Sequence, residues 1–222
     1  QAQGLRVVSQ TGDWPDELAG VSVDWLLSVA NLHMIPPAGL ALARHGGVNF
    51  HDGPLPRYAG LNAPVWALLN GEARHGISWH LIEAGVDTGD VLEQRLFDIA
   101  AGETALTLNS RCFEAAVESF PALLAQLQSG QLRRVPQDMT QRSLYARADR
   151  PAALGRIDPS RPAVEAVRLV RALDHGSYPN PMTTAKIAVA GRVISVGRAA
   201  LVEGQGAPGQ ILRRNAEGLV VA

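Results

Sequence analysis

The chain of 222 residues carries 20 basic against 21 acidic side chains, a net charge of −1, and is 46% hydrophobic. That composition supports one core of ordinary size plus a small second domain, and it lacks the basic footprint that nucleic acid or an anionic membrane demands. A single cysteine, Cys112, excludes an internal disulfide and a multi-cysteine metal site and is compatible with a reducing compartment.

The start, Gln1-Ala2-Gln3-Gly4, has no signal-peptide pattern, and stretches such as Trp25 to Ala30 are far shorter than the ~20 apolar residues a bilayer needs. A cytoplasmic location without membrane contact is therefore expected. Leu5 to Val8 is a short β-prone run, followed after turn residues by a largely apolar strand, Val23 to Val29. Pro36 and Pro37 can open a helix that runs through Leu40 and Ala43 until Gly46-Gly47 stops it. Val48 to His51 reads as a strand, Ala63 to Leu69 as a helix, Gly76 to Ile82 as a strand and Val91 to Ile99 as another extended segment.

Glu103 to Ser129 is a long helical region in which Phe113, Val117, Phe120, Leu124 and Leu127 share a face expected to meet the core, and Pro121 should kink or divide it. From Arg133 to Pro162 the chain turns polar and proline-rich, as a linker does. Val164, Val167, Val170 and Leu173 then form a helical stripe. Short strands follow at Lys186 to Val189, Val193 to Val196, Gln210 to Leu212 and Leu219 to Val221. The expected division is a catalytic domain over 1–132, a linker over 133–162 and a small domain, helix plus strands, over 163–222.

The informative segment is Asn49-Phe50-His51-Asp52-Gly53-Pro54-Leu55-Pro56. Residues two apart on a strand face the same side, so Asn49 and His51 enter one pocket while Phe50 enters the opposite layer. The glycine and prolines end the strand, and in open α/β sheets ligands lie beyond strand carboxyl ends. Asp87, in the Gly85-Val86-Asp87-Thr88-Gly89 loop after the next strand, could reach the same crevice and partner the imidazole. Each residue alone also has a bland reading: a solvated histidine, a turn-forming asparagine, an aspartate capping its own turn.

Taken together, Asn-x-His-x-x-x-Leu-Pro, Gly60, the helix Ala63 to Leu69, the strand Gly76 to Ile82 and Gly-Val-Asp-Thr-Gly-Asp closely resemble the formyltransferases that use 10-formyltetrahydrofolate. The resemblance covers about Trp25 to Gly130, and a weaker one to the C-terminal domain of methionyl-tRNA formyltransferases runs from Arg156 to Ala222. It implies an α/β fold of the formyltransferase, Rossmann-like type, a mostly parallel sheet with flanking helices, followed by a small β-rich domain. It also implies a catalytic triad of Asn49, His51 and Asp87, with 10-formyltetrahydrofolate as co-substrate and no metal. Asn31, Leu32, His33 and Met34 on one side, and Glu83, Gly85 and Val86 on the other, correspond to loops that hold the folate. By composition alone Leu32 and Met34 would be core residues.

Two departures stand out. Where the family commonly has serine two residues after the histidine, this chain has Gly53, so a hydroxyl that helps fix the loop is absent. The family's opening strand, helix and strand are also missing from the resemblance, and its C-terminal barrel is cut short, as in a naturally shortened domain or a segment excised from a longer polypeptide, where adjoining domains would be partners. His80 reads as packed or partly exposed rather than catalytic, His45, His75 and His175 as solvent-facing, Cys112 as an unreactive core residue, and the arginines of the linker as a solvated strip diluted by Asp138 and Asp149. The implied activity is formyl transfer to an amine: an aminoacyl-carrier protein, an amino sugar or another biosynthetic amine. Methionyl-tRNA is an alternative acceptor that the near-neutral charge disfavours without excluding it. Hydrolysis of the same folate and a non-catalytic folate-binding or scaffolding module are the remaining alternatives.

Overall fold

The computed structural model describes residues 14–189, 191–216 and 218–222, so the run Leu5 to Val8 lies outside the described residues. The elements are α1 (Trp14–Glu17), β1 (Leu26–Ser28), α2 (Pro37–Leu40), β2 (Gly47–His51), β3 (Ala59–Gly60), α3 (Ala63–Leu69), β4 (Arg74–Leu81) and β5 (Val91–Asp98). They continue with α4 (Ala105–Ser129), β6 (Leu144–Tyr145), α5 (Ala163–Ala172), β7 (Lys186–Val189), β8 (Arg192–Ser195), β9 (Ile211–Asn215) and β10 (Gly218–Val221). The helix Ala63–Leu69 has the expected bounds, whereas only one turn forms at Pro37 and Val23 makes just a bridge to Ala43.

The central sheet has the order β1-β2-β4-β5. It is mixed: the parallel part expected from the strand–helix rhythm is the β1–β2 pair, and β4 runs antiparallel to both β2 and β5. The short connection between β4 and β5 permits a hairpin, whereas a parallel pair would need a longer crossover. The β2–β4 register decides which side chains meet. Phe50 faces Trp79 across the strands, and both enter a core with Ile77, Leu92, Cys112, Ala116 and Leu123, while Asn49 lies opposite His80 and His51 opposite Ser78 on the other face.

Helix α4 covers the apolar side of that sheet. It opens with a capping box between Thr104 and Thr107 and closes at Gly130 in the left-handed region. Its buried stripe is Leu108, Cys112, Ala115, Ala116, Ser119, Leu123 and Leu127. The expected face is therefore mis-phased: Val117 is 74% exposed, Phe113 and Leu124 are also exposed, and only Leu127 of the full set is buried. Small residues decided the matter, because Ala115, Ala116 and Ser119 let the helix approach β4 closely enough for Trp79 Nε1 to donate to Ser119 Oγ at 2.9 Å. Pro121 does not divide the helix; it lies on the exposed side, where the carbonyl of Val117 that it leaves without a donor can meet water.

A second core joins α3 to the C-terminal region through Val65, Leu68, Leu108, Val170, Leu173 and Met182. Beyond it, β7–β8 and β9–β10 are antiparallel hairpins. Within the stretch read as a linker, Val135 pairs with Val91 at the sheet edge and β6 pairs in parallel with β3. No helix among the described residues is long and apolar enough to cross a membrane. The phase of α4 is open to test: Leu123→Ala should cost ~2–5 kcal/mol in denaturant unfolding, and Val117→Ala no more than ~0.5 kcal/mol. Equal costs would contradict this packing.

Candidate active site

Strand β2 delivers Asn49 and His51 to one face, and the antiparallel register adds His80 and Ser78 from β4. His51 is buried, and its Nε2 lies 2.7 Å from the main-chain carbonyl of Tyr58. A carbonyl only accepts, so Nε2 carries hydrogen and donates, and the Nδ1 edge is left for the site. That edge faces two carboxylates, Asp87 Oδ2 at 3.6 Å and Asp52 Oδ1 at 3.8 Å, both at ion-pair spacing.

Asp87 is held by its surroundings. Its Oδ2 accepts from the Gly60 amide at 2.8 Å and its Oδ1 lies 3.3 Å from His80 Nε2. Burial alone would raise its pKa, but the His80 hydrogen bond, the His51 charge and the Gly60 amide outweigh it, and the carboxyl is held down at about 2. Asp52 is pushed the other way, chiefly by desolvation and against the pull of His51. The two carboxylates beside one imidazole are thus driven in opposite directions, Asp87 toward the stronger acid and Asp52 toward the weaker. Glycine is required at position 60, because φ is +93° and a Cβ would lie 2.1 Å from the Tyr145 carbonyl oxygen.

Ala30, Tyr58 and Asp87 are non-glycine residues in the left-handed region, at φ 52°, 60° and 51°, and each lies in a different loop at this crevice. Strain gathered in this way marks a constrained site. Gly53 has a local reason too: a Cβ there would stand 2.7 Å from His51 Nε2 and 3.1 Å from the Tyr58 carbonyl oxygen. The loop-fixing hydroxyl comes instead from the neighbouring strand, since Ser78 Oγ donates to the Gly53 carbonyl at 2.9 Å and accepts from the Leu55 amide at 3.1 Å.

His80, read from the sequence as packed or partly exposed, is packed, and its contacts with Asn49 and Asp87 are what sequence reasoning missed. It is 3% exposed, its Nδ1 donates to the Leu81 carbonyl at 2.8 Å, and its Nε2 lies 3.2 Å from Asn49 Nδ2. That ring nitrogen lies between Asn49 and the Asp87 carboxylate, so the ring places both side chains. Its signal was the period of two that places Ser78 and His80 on one face, but only the pairing with β2 shows what that face meets. His75 is corrected. It is fully buried rather than solvent-facing, its Nε2 bonded to the Asp52 carbonyl at 2.8 Å, and desolvation lowers its pKa to about 4.

The two loops assigned to folate differ from the triad in exposure. Asn31 closes a local turn through its bonds to His33, while Leu32 and Met34 are each 66% exposed rather than core. They leave the carboxyl end of β1, next to the end of β2 that carries His51. Glu83, Gly85 and Val86 are exposed in the loop that returns Asp87 over the sheet, with Gly85 tight against Thr88.

This architecture is shared with solved structures. A 4-N formyltransferase from Francisella tularensis superimposes with a TM-score of 0.70 at 18% identity, over 86% of this chain and 76% of that one. HypX from Aquifex aeolicus, solved with tetrahydrofolic acid, gives 0.69 at 23% identity over 89% of this chain and 33% of that one. Residues 8–124 match the family described as Formyl transferase. The methionyl-tRNA formyltransferase of Pseudomonas putida (strain GB-1) is 35% identical over all of this chain and 68% of its own length, and that of Geobacter sulfurreducens is 32% identical over 99% and 66%. The chain belongs to the formyl transferase family, folate-dependent enzymes whose co-substrate is 10-formyltetrahydrofolate, and it spans about two thirds of these curated relatives.

The buried groups fix how stability responds to acid. His75 has a lowered folded pKa, so its contribution is complete above pH 6.5 and is lost as pH falls from there toward about 4; Asp87 adds a second loss between 3.8 and about 2. Urea unfolding across pH 7 to 4 should show a decline on the order of 3 kcal/mol that is abolished in His75→Gln. An unchanged slope in that variant would remove the buried neutral imidazole as its cause.

Proposed function

We propose that this chain transfers the formyl group of 10-formyltetrahydrofolate to an amino group, with His51, Asp87 and Asn49 as the acting residues, and that the 1–132, 133–162 and 163–222 division serves that reaction. The observation that carries the reading is His51 itself: one ring nitrogen is committed to a buried carbonyl and the other is turned toward a carboxylate held ionised. The folate fits the surroundings. Val29, Leu32, Met34 and Val86 are large apolar side chains left exposed on the flanking loops, as a flat ring system would require of its walls.

The co-substrate supplies an activated formyl group. Attack by a neutral amine places negative charge on the formyl oxygen, and Asn49, placed beside His80, can meet it with an amide hydrogen. His51, protonated at Nδ1, can donate there and supply a proton toward the leaving nitrogen, with the Asp87 carboxylate 3.6 Å from that ring nitrogen. His80 and Gly60 hold Asp87 and Asn49 without needing to touch substrate.

For the acceptor we favour a biosynthetic amine, such as a carrier-bound aminoacyl group or an amino sugar, because the net charge of −1 provides little attraction for a polyanion. Methionyl-tRNA is the second reading. It is supported by relatives of that name aligned over the full chain, including its C-terminal part. Labelled formyl transfer to each acceptor class separates them, and steeply salt-dependent binding of transfer RNA would reverse the preference. Formate released without acceptor would identify a hydrolase.

In the same assay His51→Ala should lower transfer ~10²–10⁴-fold and Asn49→Ala ~10²–10³-fold, with folate still bound. Asp87→Asn added to His51→Ala should change little, because groups acting as one unit are not additive. Full activity in His51→Ala would eliminate this mechanism.

A further inference from the structure

Residues 135–145, a strap across the site, bond Asp87 directly and His51 through Tyr58. At one end Val135 and Val91 exchange amide-to-carbonyl bonds of 2.9 Å. At the other, Tyr145 stacks on Trp66 with ring centroids 4.4 Å apart, and its hydroxyl accepts from Asn70 at 2.9 Å. Between these anchors, Ser143 Oγ accepts the Tyr58 amide at 2.8 Å, fixing the residue whose carbonyl holds His51. Gln137 Nε2 donates to the carbonyls of Asp87 and Gly89 at 2.9 and 2.7 Å, and Arg142 Nη2 donates to that of Val86 at 2.7 Å.

The carbonyls so bound flank and include Asp87, whose φ of 51° places it in the left-handed region. Aspartate enters that region more readily than most side chains, but outside contacts that hold it there still fix its place. The loop's own contribution is small, since Glu83, Ala84, Gly85 and Val86 are all exposed. Its conformation is therefore imposed from outside. We propose that Gln137 and Arg142 are positioning residues: they hold the Asp87 loop in its left-handed turn and so set the spacing between the Asp87 carboxylate and His51. The proposal rests on the reading of His51 and Asp87 as the reacting pair.

Asp87 is faced by His51 from β2, His80 from β4, Asp52 from the loop after β2 and the Gly60 amide from β3, and Arg142 reaches its loop from the strap. Releasing the loop moves the carboxylate off Gly60 and His80. The test uses Gln137→Met, which keeps the length and removes both donors, Arg142→Met, and Arg142→Lys as the conservative rescue, with exposed Met139→Ala as control. In the two Met variants kcat should fall ~10–100-fold, since an ångström-scale misplacement suffices for such a loss. The Asp87 carboxyl, followed by carbon NMR, should titrate upward from about 2 toward 3.8.

Arg142→Lys should recover most of both readings, and Met139→Ala should change neither. A lowered Tm with kcat and the Asp87 titration unchanged would overturn the proposal in favour of a merely structural strap. If Gln137→Met does not fold, the same two readings on the Arg142 pair decide. If the unaltered protein transfers no formyl group to any acceptor, the functional reading fails while the titration still decides whether the strap positions Asp87.

Discussion

A carboxylate withdrawn from water survives as an ion only where the protein returns what hydration supplied, and Asp87 is the point at which this fold meets that demand. Its side chain is 11% exposed and is matched by a main-chain amide and two imidazoles. Each of those partners imposes a further requirement. Gly60 must lack a side chain because the strap passes over it, β4 must run antiparallel to β2 so that His80 lies across from Asn49, and His51 must be held by its far nitrogen so that the near one faces the charge.

The sheet separates two kinds of chemistry across a single layer. On one face Phe50, Ile77 and Trp79 pack under α4, and on the other Asn49, His51, Ser78 and His80 form the polar site. Because alternate residues change faces, a one-residue slip between β2 and β4 would bury the imidazoles in the hydrocarbon layer and expose the aromatic rings. The apolar core therefore fixes the geometry of the polar site. Ser78 shows this economy: one hydroxyl bonds Gly53, Leu55 and Gln94, closing the loop that follows His51.

The site also depends on chain far removed in sequence. Tyr58 receives Ser143 from 85 positions away, and the Asp87 loop receives Gln137 and Arg142 from 50 and more. Such bonds draw on a stretch whose composition, polar and proline-rich, is that of an exposed connection. Composition reports the mean environment of a segment, whereas these roles belong to three or four atoms that happen to meet open carbonyls and amides.

The sequence by itself determined the strand ending in Asn49-x-His51, the glycine-bounded loop that carries Asp87, the helix Ala63–Leu69 and the family resemblance, because these rest on local periodicity, turn chemistry and ordered spacing. It placed the long helix but not its face: hydrophobicity favoured Phe113 and Val117, while the packed solution used alanines and a serine whose value is small size rather than apolarity. It could not reveal that His75 is buried, that His80 meets Asn49 and Asp87, or that Gln137 and Arg142 reach the Asp87 loop. Those facts depend on which strand pairs with which, in what direction and register, and on what crosses above them. Pairing is a relation between distant segments, and only the tertiary structure decided it.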